Sequence, residues 1–291
     1  MAKVLITESI LQDTADAIRE KTGDSGGIKP SEFAENIGDI PAGADLSEYF
    51  ESTISNGDSN IGGWVNLVKK LPDNITISGT NLNYAFYGYK GTSIPAIDTS
   101  NVTSMNSTFM FCKNLTTIPS LNTSNVTNMR DCFRETKITT IPLLDTSNVT
   151  TFERAFLGCV YLTSLPLINT QNATTIYQCF NTTALVEIPQ INTSRVVNME
   201  VAFSNNSSLT TLPLLNTSKV TNMRNIVQGT NNLTDTSLDN LLQMCINATS
   251  FTETKTFKYL VGISSSSYPA SRIQALPHYQ DFVDAGWTIG Y

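Results

Sequence analysis

Apolar positions recur along the middle of the chain with two interlocked ladders. Ile/Leu-Pro pairs place prolines at Pro95, Pro119, Pro142, Pro166, Pro189 and Pro213, at steps of 24 and 23 residues. A second ladder, Phe86, Phe109, Phe133, Phe156, Phe180, Phe203 and Val227, keeps the same steps. Two ladders of different residues sharing one period identify a repeat architecture, and the period lies in the range of roughly 20–29 residues of leucine-rich repeats. In one unit Val126, Met129 and Phe133 stand at i, i+3 and i+7, a spacing that predicts one face of a short helix. The segment Ile138 to Leu144 is short, apolar and β-branched, and predicts a strand ended or interrupted by Pro142. Six or seven such coils at about 4.8 Å each would make a slab roughly 30 Å long.

Between strand and helix stands an Asp or Asn followed by Thr. The Asp/Asn positions are Asp98, Asn122, Asp145, Asn169, Asn192 and Asn216. Such side chains bond backbone amides in turns and at helix N-caps, so a stacked row predicts a polar structural ladder. Calcium or glycan binding is the functional alternative for the same row. Just before each Ile/Leu-Pro pair comes another row, Thr117, Thr140, Ser164, Glu187 and Thr211. It alternates with apolar positions and should face outward, on the concave side. It is either a candidate ligand-facing array for a host cell-surface glycan or protein, or a Thr ladder that only steadies neighbouring strands.

The unit resembles the DTSNVTNM-type repeats of the BspA-like leucine-rich-repeat family of bacterial surface proteins and mycoplasma lipoproteins, over about residues 81–232. The resemblance implies a curved solenoid used for adhesion. The fold class expected is therefore an α/β repeat, a leucine-rich-repeat solenoid at 81–232. A helical module at 1–44, an N-terminal cap at 45–80 and a C-terminal cap at 233–291 complete it.

The first forty residues follow another pattern. Glu8 to Lys21 is a helix candidate with Gly23 as its stop, and a second short helix follows Pro30. The string Asp16 to Gly23, then Ile28 to Phe33 and Ile37, resembles an N-terminal module of tail and other structural proteins of phages that infect Gram-positive bacteria. That resemblance implies attachment to other virion proteins, with Leu11, Ile18, Phe33 and Ile37 as the anchoring side chains. An amphipathic hairpin that merely caps the repeats is the alternative. Near the other end, Thr236 to Cys245 reads as a longer helix.

Charge and composition narrow the function classes. Charged residues are 15% and the net charge is −7, with no basic cluster, which argues against nucleic acid as a partner. No run of apolar residues is long enough for a membrane span, and the N-terminal segment lacks a signal peptide's apolar stretch. Synthesis in a host cytoplasm, release by lysis and residence in a virion, as a homo-oligomer, is the expectation. His278 is the one histidine, and Asp98 and Asp145 occupy positions that other repeats fill with Asn, so no acid–base or nucleophilic set emerges. No catalytic residue, metal or cofactor is expected. Cys112, Cys132, Cys159, Cys179 and Cys245 form no C-x-x-C, and read as free, half-buried small side chains. The function expected is a tail, baseplate or fibre protein that displays the repeat surface to a host cell. A purely architectural decoration protein and a bacterial surface adhesin are the alternatives.

Overall fold

A computed structural model describes residues 53–54, 75–77, 79–252, 254–257 and 262–290. The helical module expected at 1–44, with Leu11, Ile18, Phe33 and Ile37, lies outside the described residues. Through the middle of the chain each 23–24-residue unit lies parallel on the next. Single parallel bridges join Asn81 to Ser104, Ser104 to Asn128, Asn128 to Thr151, Thr151 to Thr175, Thr175 to Asn198 and Asn198 to Asn222.

The backbone around each ladder Phe follows an alternating scheme. In one coil the N–H groups of Met129, Asp131, Phe133 and Glu135 donate to Thr151, Glu153, Ala155 and Leu157 of the next coil at 2.8–3.1 Å. The intervening amides of Cys132, Arg134 and Thr136 close tight turns onto residues three earlier. Every donor is thus satisfied, as a buried backbone requires. Two residues per coil, four apart, take left-handed φ to make this possible. They are Asp131 and Glu135 in this coil, Ser107 and Phe111 before it, and Arg154 and Gly158 after it.

This arrangement differs from the helix expected at Val126, Met129 and Phe133. All three are buried, so the apolar face is real, but among the described residues the repeats contain no α-helix. A left-handed residue every fourth position breaks the i→i−4 ladder of a helix and turns alternate amides toward the neighbouring coil. The strand expected at 138–144 also differs. It is extended but thinly paired: Thr116, Thr139, Thr163 and Thr210 each donate one backbone bond to the preceding coil, at 3.0, 3.4, 3.5 and 2.9 Å, and one bridge, Glu187 to Thr211, falls in this row. The row of prolines explains the thinness, since each removes a donor. Parallel pairing is concentrated instead where the helix was expected to begin.

The core is a set of vertical ladders. Phe86, Phe109, Phe133, Phe156, Phe180 and Phe203 stack ring on ring, with centroids 5.4–5.8 Å apart and interplanar angles of 14° or less. Val102, Val126, Val149 and Val196 form another ladder, and Leu121, Leu144, Ile168, Ile191 and Leu215 a third, all buried. No coil could bury these faces alone; stacking does it.

Parallel pairing reaches back before residue 81. Strand β1 (Thr53–Ile54) pairs with β2 (Thr76–Ile77), Thr53 opposite Thr76, at the repeat spacing. The periodic register therefore extends into the segment read as an N-terminal cap.

At the far end, helix α1 (Asp235–Asn247) closes the stack. Thr234 caps it by accepting from the Ser237 amide, so the helix starts one residue before the expected Thr236. Leu238, Leu241, Leu242, Met244 and Cys245 cover the last apolar layer. Helices α2 (Ala270–Gln274) and α3 (Tyr279–Asp284) follow. Phe251, Trp287, Phe282 and Phe257 pack there with centroids 5.3–5.9 Å apart.

Candidate functional site

The extended segments carry two adjacent side-chain rows that differ in use. In the first, the hydroxyls of Thr116 and Thr210 donate to Thr92 O and Val186 O of the preceding coil, at 3.2 and 3.3 Å. In the second, Thr117, Thr140, Ser164, Glu187 and Thr211 are all exposed. Among the described residues, none of these five side chains makes a hydrogen bond or ion pair. Two members of the first row thus join coils through their hydroxyls, while the second row joins them only through backbone, at Glu187 and Thr211.

The Asp/Asn row lies on the next bend. Asp98, Asn122, Asp145, Asn169, Asn192 and Asn216 each accept, through Oδ1, the amide of the residue two further on, at 2.9–3.2 Å. These bonds hold the carboxyls of Asp98 and Asp145 below the ordinary carboxylate value: the Ser100 amide dominates in the first, the Ser147 side chain in the second. The following threonines are buried and act between coils. Thr99, Thr123, Thr146, Thr170 and Thr193 donate at 2.8–2.9 Å to the carbonyl of the next coil's Asp or Asn. Thr217 donates to Met244 O, so the last turn of α1 supplies the acceptor that a further coil would.

All five cysteines are free and fully buried rather than half-buried. Four of them occupy two ladders of the repeats, and Cys245 lies on α1. Cys112 and Cys159 point at the carbonyls of Phe86 and Phe133 in the preceding coil, at 2.9 and 3.0 Å, while Cys132 and Cys179 immediately precede a ladder Phe. Burial pushes the Cys112 thiol up to about 12 and Cys159 to about 11, which keeps them protonated donors. His278 is partly buried, with Nδ1 2.7 Å from Asp239 Oδ2 and its amide 2.9 Å from Asp239 Oδ1. It ties the start of α3 to α1. Among the described residues no cluster of three metal-ligating side chains occurs, and no helix is long and apolar enough to cross a membrane.

Residues 80–187 and again 165–262 match the family described as Mycoplasma protein of unknown function, DUF285. Together the matches span more than half of the chain. The chain belongs to the DUF285 family. Its repeats are therefore of the BspA-like kind that the Asp/Asn-Thr and Phe ladders resemble. The two DUF285 matches overlap across residues 165–187, about one coil, which accords with a unit that can be entered at successive coils. No curated protein matches the chain, and no solved structure matches it.

Proposed function

We propose that this DUF285 member is a non-enzymatic phage virion protein, of tail, baseplate or fibre. In this reading residues 81–232 form a leucine-rich-repeat solenoid that displays side-chain rows to a host-cell surface, and residues 1–44 attach it to the particle. The observation that carries the surface role is the outer row: exposed Thr117, Thr140, Ser164 and Thr211 hydroxyls have no described partner, while the adjacent Thr116 and Thr210 hydroxyls bind coil to coil. A short hydroxyl can donate and accept, and costs less to desolvate than a charge. Repeated along the stack, weak contacts to a repetitive glycan add by effective concentration. The N-terminal resemblance to phage structural modules supports the virion location. Particles carrying Thr140→Lys and Thr211→Lys should assemble normally and lose host adsorption. Unchanged adsorption would remove this face as the host-binding surface.

The DUF285 match favours a second reading, a BspA-like adhesin on a bacterial surface. Immunogold labelling decides between them: label on intact virions supports the first, label on the cell envelope of uninfected bacteria the second.

A further inference from the structure

Beside the hydroxyl row, across the half-exposed prolines, the surface changes character. Leu143 and Leu167 occupy the same position in consecutive coils and are 73% and 67% exposed. One coil apart, the two leucines make a small exposed apolar patch. They border an open depression of about 460 Å3 that also reaches Asn122, Asp145 and Asn169. Its lining combines apolar side chains with a few oriented polar groups.

The polar groups form an ordered set. The Oδ1 atoms of Asn122 and Asn169 are fixed by the Ser124 and Gln171 amides, which orients each side-chain amide. Their Nδ2 donors have no described partner. Asp145 stands on the coil between them, pinned by the Ser147 amide at 3.0 Å. The edge therefore reads donor, acceptor, donor at one-coil spacing, with two leucines alongside.

We propose that this depression binds one uncharged pyranose unit of a glycan. The sugar's C–H face covers Leu143 and Leu167. Two of its hydroxyls donate to the Asp145 carboxylate and accept from the Asn122 and Asn169 amides. An anionic sugar is disfavoured because Asp145 is the one charge in the lining. The proposal deepens the reading of the chain as a surface-binding protein and rests on it.

The repeat itself supplies variants that leave the fold alone. Asn fills the Asp145 position in four other coils, and Ser120 and Gln190 fill the position of Leu143 and Leu167. The full chain is titrated with tetrasaccharides of neutral hexoses and of N-acetylhexosamines, and with trilysine, followed by saturation-transfer NMR and calorimetry. At least one saccharide should bind, with transfer from leucine methyls. Its affinity should fall at least tenfold in Asp145→Asn and in the pair Leu143→Gln with Leu167→Ser. Binding of no saccharide, of trilysine alone, or saccharide binding unchanged in both variants overturns the proposal. Saccharide binding that responds to these variants, with host adsorption indifferent to Thr140→Lys and Thr211→Lys, would keep this site and sink the hydroxyl-row reading. The converse pattern would do the reverse.

Discussion

The sulfur of Cys112 lies 2.9 Å from the carbonyl oxygen of Phe86, one coil earlier. The relationship recurs with other chemistry further along. Asn206 Nδ2 reaches Phe180 O at 2.8 Å, and Thr230 Oγ1 reaches Phe203 O at 2.9 Å. Position three after Phe109, Phe156, Phe203 and Val227 is therefore a buried donor site for a carbonyl of the coil below, filled by Cys, Asn or Thr, whereas Thr136 and Thr183 at the same place donate to Phe133 O and Phe180 O of their own coil. Cys112→Thr should keep the donor and change stability little. Cys112→Ala removes the donor and leaves a small void, and should lower unfolding free energy by about 1–2 kcal/mol in chemical denaturation. A thiol this buried should also resist alkylation in native protein and react fully once unfolded. Rapid native labelling of Cys112 would contradict the burial.

Phe133 sits between two ring neighbours, 5.5 Å from Phe109 and 5.4 Å from Phe156, fully buried. Phe133→Ala deletes one rung from a continuous column whose neighbours are held by inter-coil hydrogen bonds and cannot collapse inward. The expected loss is about 3–5 kcal/mol, read from the denaturant midpoint. Stability equal to wild type would mean that the column does not bear on folding.

The period, the buried faces and the Asp/Asn turns were legible in the sequence, because side-chain identity repeats wherever side-chain environment repeats. The local backbone was not. Val126, Met129 and Phe133 at i, i+3 and i+7 fit a helix face, and they fit equally a ribbon of turns with a left-handed residue at Asp131 and Glu135. Non-glycine residues fill most of those left-handed positions, so the usual glycine signal is missing; Gly88, Gly158 and Gly229 mark it in only some coils. The outer row of Thr117 and Thr140 was found from alternation with apolar neighbours. The depression at Leu143 and Asp145 is not legible, since two adjacent leucines in a strand pattern read as core, yet Leu143 faces solvent while Leu144 is buried.

Those left-handed positions make opposite predictions for two substitutions. Val201 has φ 56°, a conformation that a β-branched side chain tolerates poorly. Asn225 and Asp131 hold the same place in other coils. Val201→Asn should raise stability by about 1 kcal/mol by relieving that strain. Gly158 has φ 74°, and a Cβ there would meet Glu135 Cγ at 2.9 Å. Gly158→Ala should lower stability by about 1 kcal/mol or more. Thermal melts of both variants under one condition test the pair; equal shifts of the same sign would refute the backbone assignment.

Acid response follows from the two ladder carboxylates. Asp98 and Asp145 have folded-state pKa values below 3.8 because turn hydrogen bonds favour the charged form. A carboxyl lowered on folding contributes stability that is fully present above 3.8 and is lost as pH falls through the folded value. Asn at the same position makes the same turn bond and does not titrate in this range, as Asn122 and Asn169 do in neighbouring coils. The double variant Asp98→Asn, Asp145→Asn should therefore match wild type at neutral pH. Below 3.8 its melting temperature should fall less steeply than that of wild type. Both groups are exposed, so the divergence should be small, and salt should reduce it. Melting curves recorded across acid pH at two ionic strengths measure it. Parallel curves for the two proteins would show that the turn bonds do not distinguish carboxylate from amide, and a steeper fall in the variant would reverse the sign of the argument.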